Sequence, residues 1–373
     1  MKKMQIKEKN HQDEQNMTGD SYKLRLVACE VTRRCNLACL HCRASAESNP
    51  SPDELTGEEW MRVIDQIASL GTPILILTGG EPILRKDIYE IAEYATSKGL
   101  RVVLSSNGVN INRESTRKMK NAGIKRLAIS LDGATSKTHD HFRGVKGAFK
   151  EAVKGIKEAK EADLDFQINT TITRLNLEEV PKILDLAVRL GAVAYHPFLL
   201  VPVGRGSQLR SQEIPAEEYE EVLWWFAEAK EKMSLPIKVT CAPHYYRVLH
   251  QRGEKGGKAL STQTHGLDAF TRGCLGGTAF CFVSSTGDVQ PCGYLELKCG
   301  NVREKSFPDI WKNSQGFNDL RNIDKYQGKC GRCEFKRICG GCRARAYSVS
   351  GSYLAEEPYC VYEPAVGSER KPR

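Results

Sequence analysis

Cys35, Cys39 and Cys42 fall within the eight residues CNLACLHC, at the spacing C-x3-C-x2-C. Three thiolates this close suit one metal centre. A structural zinc site wants four ligands, commonly as two separated pairs. The nearest spare thiol, Cys29, lies in an apolar run that reads as a strand, where a buried, inert cysteine is the plainer role. A [4Fe–4S] cluster held by three cysteines fits better. Its fourth iron stays open to a small molecule, as catalytic metal centres keep one position open. A second group, Cys330-x2-Cys333-x5-Cys339-x2-Cys342, lies far along the chain and alone would also suit a zinc ribbon.

These residues sit in a chain of 373 residues, enough for one large domain and a smaller one. Hydrophobic residues make up 40 % and charged residues 27 %, a globular balance. No apolar run reaches the roughly 18 residues of a membrane span. The N-terminus has basic residues but no apolar segment of a secretory signal, so a cytoplasmic location is expected. Fourteen cysteines in such a chain point to metal ligation rather than disulfides. The formal charge of +9 is not arranged as basic runs interleaved with aromatics, so nucleic acid is not an expected partner. Metal-bound thiolates would remove much of that excess.

The elements that position the cysteines follow from the pattern. Six short apolar runs, at 25–31, 73–77, 101–104, 125–129, 165–169 and 192–196, alternate with segments of helical period. In 56–70 the residues Trp60, Val63, Ile64, Ile67 and Leu70 share one face, Thr56 and Glu59 form a capping box, and Gly71 stops the helix. Asn176 and Glu179 are expected to cap a later helix in the same way. Six strand–helix units predict a parallel sheet, too few for a closed eight-stranded barrel. A partial barrel or open α/β sheet has its site at the carboxyl ends of the strands. There lie the first cysteines, TGGEP (78–82), SSNG (105–108), SLDG (130–133), TTITR (170–174) and HPFLLVPVGRG (196–206).

C-x3-C-x2-C after the first strand and a GGEP-type loop after the second resemble the radical S-adenosylmethionine (SAM) superfamily, over about residues 25–206. The resemblance implies a partial (β/α)6 barrel. It implies that Cys35, Cys39 and Cys42 hold a [4Fe–4S] cluster whose open iron takes the amino and carboxylate groups of SAM. Gly79, Gly80, Glu81 and Pro82 would then meet the methionine amino group. Ser106, Asn107, Ser130 and Asp132 are ribose or carboxylate candidates, and Arg143 a partner for the methionine carboxylate. His41 stands where the family usually has an aromatic residue near the adenine.

The carboxy-terminal region, with Cys274, Gly287 and Cys292 ahead of the second cysteine group and Cys360 behind it, resembles the SPASM extension of radical SAM enzymes. That small cysteine-rich domain carries auxiliary [4Fe–4S] clusters, here one or two. The resemblance implies one set of Cys330, Cys333, Cys339 and Cys360. A second set would use Cys274, Cys292 and Cys342, with Cys281 as fourth ligand, leaving Cys299 and Cys241 as structural thiols. The last step departs from the pattern, with two residues between Cys339 and Cys342 where three are usual.

Domain expectations are a mobile tail at 1–22, the barrel at 23–235, a linker at 236–269, the SPASM-like domain at 270–363 and a tail at 364–373. The wording EVTRRCNLACLHCRASA, together with GCLGGTAFCFVSSTGDVQPCGYLELKCGNVR, resembles the haem b synthases, Fe-coproporphyrin III decarboxylases of the alternative haem pathway. That implies a tetrapyrrole substrate, Fe-coproporphyrin III, and an external low-potential electron donor. Arg174, Arg205, Arg272 and Arg343 are candidate partners for propionates. His139, His141, His196 and His244 are candidate contacts to the iron. A peptide- or protein-modifying SPASM enzyme and a non-catalytic iron–sulfur carrier or sensor stand as alternatives.

Overall fold

A computed structural model describes residues 22–255 and 272–365. The two terminal tails therefore lie almost wholly outside the described residues, as does the second half of the expected linker.

Six parallel strands form the barrel wall: β1 (Leu26–Thr32), β2 (Ile74–Gly79), β3 (Arg101–Ser106), β4 (Arg126–Ser130), β5 (Phe166–Ile172) and β6 (Ala194–Leu199). Their order in the sheet is the order in the chain. All crossovers therefore progress one way, as in a barrel, rather than reversing as in a doubly wound sheet. The crossover helices are α1 (Gly57–Ala68), α2 (Ile88–Ser97), α3 (Arg113–Asn121), α4 (Ser136–Arg143), α5 (Ala148–Glu161) and α6 (Val180–Leu190). Each strand buries alternate residues beneath these helices: Val27, Cys29 and Val31 in β1, Leu75 and Leu77 in β2, Val102 and Leu104 in β3. With Trp60, Ile64, Ile67, Ile88 and Ile91 they form one continuous core.

The capping box of α1 forms as the sequence predicts. Thr56 Oγ1 accepts from the Glu59 amide at 3.2 Å, and the Glu59 carboxylate accepts from the Thr56 amide at 2.8 Å. At the start of α6 it does not form. Asn176 turns inward to donate to the Asp132 and Thr171 carbonyls, and Glu179 accepts from the Ala134 amide, so both residues fasten the loop after β4 instead.

Every strand runs past its predicted apolar run at the carboxyl end, because polar residues such as Thr32, Ser105, Ser130 and Thr171 continue the sheet there. The expected linker is likewise built over its described part. Ile237 and Thr240 bridge to Tyr195 and Phe198 along β6. Helix α7 (Ala216–Lys232) packs on α8 (Tyr245–Lys255), which buries Tyr245, Val248 and Leu249.

The carboxy-terminal part continues the same sheet. Strand β7 (Phe280–Val283) pairs in parallel with β1, followed by antiparallel β8 (Asp288–Gln290) and β9 (Gly300–Asn301). Helices α9 (Phe307–Asn313), α10 (Gln315–Arg321), α11 (Gly328–Arg332) and α12 (Arg343–Ser350) complete it. Among the described residues no helix is long and apolar enough to cross a membrane.

Candidate active site

The first cysteine loop leaves β1 at Thr32 and folds back under its own hydrogen bonds. Donors already aim at each sulfur. The Leu37 amide reaches Cys35 Sγ at 3.4 Å, the Ala46 amide reaches Cys42 Sγ at 3.3 Å, and Arg143 Nη1 lies 3.7 Å from Cys39 Sγ. As free thiols Cys35 and Cys39 would hold their protons, since burial pushes Cys35 up to about 11 and raises Cys39 as well. A bound cation reverses that balance by taking the thiolate directly. Arg205 braces the loop from the segment after β6, with Nε on the Cys39 carbonyl at 2.9 Å and Nη1 on that of Ala46 at 3.2 Å.

Gly79 and Gly80 press against this loop. A Cβ on Gly79 would lie 2.2 Å from the Thr32 carbonyl oxygen, and one on Gly80 2.4 Å from that of Arg34. Only glycine lets the two backbones approach so closely. Pro82 is buried in the turn that follows. Glu81 is also fully buried, and its carboxylate accepts from the Asn107 amide at 2.7 Å and the Ile83 amide at 3.3 Å. It ties the GGEP loop to the end of β3, and burial raises its pKa to about 7. Asn107 in turn donates to Asn36 at 2.7 Å, inside the cysteine loop.

Asp132 is the hub on the opposite side. It is fully buried. Its Oδ1 accepts from the Thr171 amide at 2.8 Å, and its Oδ2 meets Arg143 Nη2 at 2.6 Å and faces His41 Nε2 at 3.5 Å. The guanidinium of Arg143 helps hold Asp132 below the usual carboxylate range despite burial, while burial lowers His41 to about 4, so the imidazole is neutral at pH 7. Arg143 is thus a buried centre rather than a surface arginine. Three buried polar atoms around the cysteines, His41 Nδ1, Arg143 Nε and Arg205 Nη2, have no partner in the protein. With three thiolate donors beside them, they fit a polar cofactor on an open iron.

Strand alternation sorts the remaining candidates. In β3, Ser106 belongs to the buried, helix-facing row, where its hydroxyl accepts from the Gly108 amide at 3.0 Å. Ser105 holds the inner row instead, as Ser130 does in β4. The inner face of β5 and β6 carries a polar chain of which the sequence reading named only His196. Gln167 Nε2 donates to Asn169 Oδ1 at 3.0 Å and lies 3.1 Å from His196 Nδ1. A period-two polar row inside otherwise apolar strands is the signal that reveals it.

Arg43 was also missed. It follows Cys42, pairs with the buried Glu30 of β1, and donates to the Gly293 carbonyl at 3.2 Å while lying over the Phe282 ring. It therefore links the first cysteine loop to the loop of Cys292. A glutamate inside the apolar run of β1 is its trace in the sequence.

In the carboxy-terminal region Cys330, Cys333, Cys339 and Cys360 line one pocket, with Arg247, Lys329 and Lys336 around it. Cys330 Sγ accepts from the Glu357 amide at 3.3 Å and from Arg343 at 3.4 Å, and Cys339 Sγ accepts from the Gly341 amide at 3.4 Å. Cys281 lies elsewhere. It sits in β7 opposite Val27, buried in the core beside Cys29 and Cys299. Cys241 instead packs with Cys292 and Cys342. Among the described residues no three thiol, imidazole or carboxylate groups converge on a point as a single zinc ion needs. A cubane, which takes one thiolate at each corner, needs them spread around a volume.

The proposed substrate contacts separate as well. Arg343 is buried and donates to the Tyr353 and Ala355 carbonyls, and Arg272 lies against Tyr326. Arg205 and Arg343 spend hydrogen bonds on the backbone and sulfur of the cysteine loops, while Arg205 Nη2 and Arg272 Nε keep no partner in the protein. Arg174 is exposed just beyond β5. His139 is buried, its Nδ1 accepting from the Asp132 amide at 3.1 Å, and His244 is buried against Tyr219. Neither is open to a substrate iron. His141 is exposed at the end of α4, and His196 lies on the inner barrel face.

Comparison with known proteins agrees with this architecture. The family model of the Radical SAM superfamily matches residues 29–187, and that of the SPASM iron–sulfur cluster-binding domain matches 274–334. An AdoMet-dependent heme synthase of Oleidesulfovibrio alaskensis is 53 % identical over 91 % of this chain and 88 % of its own. One from Methanosarcina barkeri is 52 % identical over 91 % and 97 %. The crystal structure of Streptococcus suis SuiB bound to S-adenosylmethionine superposes with a TM-score of 0.73 at 16 % identity, covering 91 % of this chain and 78 % of that one, which is a likeness of fold. The cofactors are those of the family, [4Fe–4S] clusters and SAM. The chain is a radical SAM enzyme of the haem pathway and belongs to the SPASM-bearing branch of the radical SAM superfamily that holds the AdoMet-dependent haem synthases.

Proposed function

We propose that this enzyme converts two propionates of Fe-coproporphyrin III to vinyl groups, giving haem b. The observation that carries this is the likeness to AdoMet-dependent haem synthases over nine-tenths of the chain. Cys35, Cys39 and Cys42 would hold the cluster, which with bound SAM would supply radical chemistry able to take hydrogen from an unactivated carbon. Each propionate loses one hydrogen atom from its β-carbon, one carbon dioxide and one electron, and the electron passes to an acceptor. The hydrogen ends in 5′-deoxyadenosine.

The chain's own part is to bind and orient. Gly79 and Gly80 bring the GGEP backbone against the cysteine loop. Asp132 and Arg143 set a fixed pair of charges beside Cys39, and neutral His41 offers an apolar face next to it. The inner polar row of Gln167, Asn169 and His196 lines the barrel where a substrate would lie, and exposed Arg174 stands at the rim as a carboxylate partner. An external low-potential donor supplies the electron that each SAM cleavage requires.

Anaerobic reconstitution with iron, sulfide, SAM and reductant, followed by mass spectrometry with Fe-coproporphyrin III, tests this. The product should be lighter by two formic-acid equivalents, with about one SAM consumed per decarboxylation, because one radical is needed per hydrogen removed. Substrate deuterated at the propionate β-carbons should pass deuterium to 5′-deoxyadenosine. SAM cleavage without porphyrin turnover, with an electron acceptor present, would favour a peptide- or protein-modifying enzyme instead.

A further inference from the structure

The cysteines at 274, 292 and 342 make three ligands, and the sequence pattern supplies Cys281 as a fourth. The sheet rules it out. In β7, Phe282 faces the Cys292 loop, since Arg43 lies over its ring while donating to Gly293, and a Cβ on Gly293 would stand 3.0 Å from that ring. Adjacent strand residues point to opposite faces, so Cys281 points away, into the core with Cys29 and Cys299.

Cys241 comes from the other side. The segment before it zips onto β6, with the Thr240 amide on the Pro197 carbonyl at 2.8 Å. The chain then turns sharply, and Cys241 takes a φ of 60°, one of three positive values at non-glycine residues in the described chain. That conformation is uncommon for a side-chain-bearing residue and needs support from its surroundings. The support is explicit. Its carbonyl accepts from Arg345 Nη2 at 3.0 Å and from the Tyr219 hydroxyl at 3.3 Å. Arg345 is fully buried and paired with Glu357, whose Oε2 accepts from the Cys342 amide at 2.6 Å. One buried ion pair therefore fixes the backbone of both Cys241 and Cys342. Cys241 packs with Cys292, Cys342 and Tyr294 in one small apolar cluster. Cys274 joins them, because Gly276 lies between it and Cys292: a Cβ there would be 3.7 Å from Cys274 Sγ and 3.6 Å from Cys292 Cβ.

We propose that Cys241, which lies outside the SPASM cysteine pattern, is the fourth thiolate of a cluster held by Cys274, Cys292 and Cys342. This rests on the iron–sulfur reading of the carboxy-terminal region. A cluster so ligated has a thiolate on every iron and no open position for a substrate group, unlike the cluster at Cys35, Cys39 and Cys42.

The test compares the wild-type chain with Cys241→Gly and Cys281→Ala after anaerobic reconstitution, by iron and acid-labile sulfide content and by electron paramagnetic resonance. Glycine suits the positive φ, so the variant removes the ligand without straining the turn. Cys241→Gly should lose between about one and four irons, leaving a three-iron signal or none from that site, while Cys281→Ala keeps the full content. Should Cys241→Gly fail to fold, Cys241→Ser decides, because an oxygen ligand shifts the g-values. Wild-type iron and an unchanged spectrum in the Cys241 variant overturn the proposal, as does iron loss in Cys281→Ala. A wild-type chain holding only about four irons instead removes the reading on which it rests, and the two failures are distinct.

Discussion

Arg143 Nη2 lies 2.6 Å from Asp132 Oδ2, and both side chains are buried at the carboxyl end of the barrel. Each has a second task, Asp132 holding the Thr171 amide and Arg143 approaching Cys39 Sγ. Removing one partner of a buried pair leaves the other charge uncompensated. Asp132→Asn should therefore cost about 3–5 kcal/mol in urea unfolding and weaken SAM binding. A loss below about 1 kcal/mol would mean that water reaches the pair and that it is not the rigid hub described.

The two cysteine regions should separate by function. Replacing Cys35, Cys39 and Cys42 with alanine should abolish 5′-deoxyadenosine formation, read by chromatography. The Cys330→Ala/Cys333→Ala variant should still cleave SAM but fail to complete the product. Native-rate deoxyadenosine from the triple variant would overturn the assignment of the first loop.

Reconstituted protein should hold about eight to twelve irons, according to whether two or three clusters form. Exposure to air should bleach it, because the three-cysteine site leaves one iron open. Stoichiometric zinc beside only about four irons would remove the auxiliary-cluster reading.

Glu59 closes the capping box of α1 and also pairs with Arg303 at 2.7 Å, joining the barrel to the turn after β9. Its hydrogen bond with Arg303 lowers its pKa to about 2. A depressed carboxyl pKa contributes stability that is fully present above the unfolded value of about 4.3 and is lost as pH falls through the folded one. Because Arg303 is 41 % exposed, solvent screens the pair and about 0.5–1 kcal/mol is the expected contribution at neutral pH. Urea unfolding of wild type and Glu59→Gln should differ by that amount at pH 7, and the gap should narrow as pH drops from about 4.5 towards 2. A gap that persists unchanged at low pH would sink the ionic explanation.

The cysteine motif and the six strand–helix units were legible because both are local: spacing within one loop, and period within one element. Ser106 was chosen over Ser105 because the sequence gives the composition of a strand end but not which row faces the cavity, and a slip of one residue exchanges the faces. The choice of Cys281 over Cys241 has a different cause. The first lies near Cys274 and Cys292 in sequence, whereas the second reaches them only through the pairing of 237–240 with β6. Arg43 and Gly293 meet across 250 residues of chain, a distance that no periodicity records.

The sheet has no bare flank at either end of the barrel wall. Strand β7 covers β1 from Leu26 to Cys29, and Ile237 and Thr240 cover β6. Unpaired edges invite association with other chains. A fragment ending near residue 235 would uncover both rows of amides at once, so it should aggregate on expression rather than persist as a free barrel. The segment beyond residue 235 thus covers, from both flanks, the edges through which this chain would otherwise pair with its own copies.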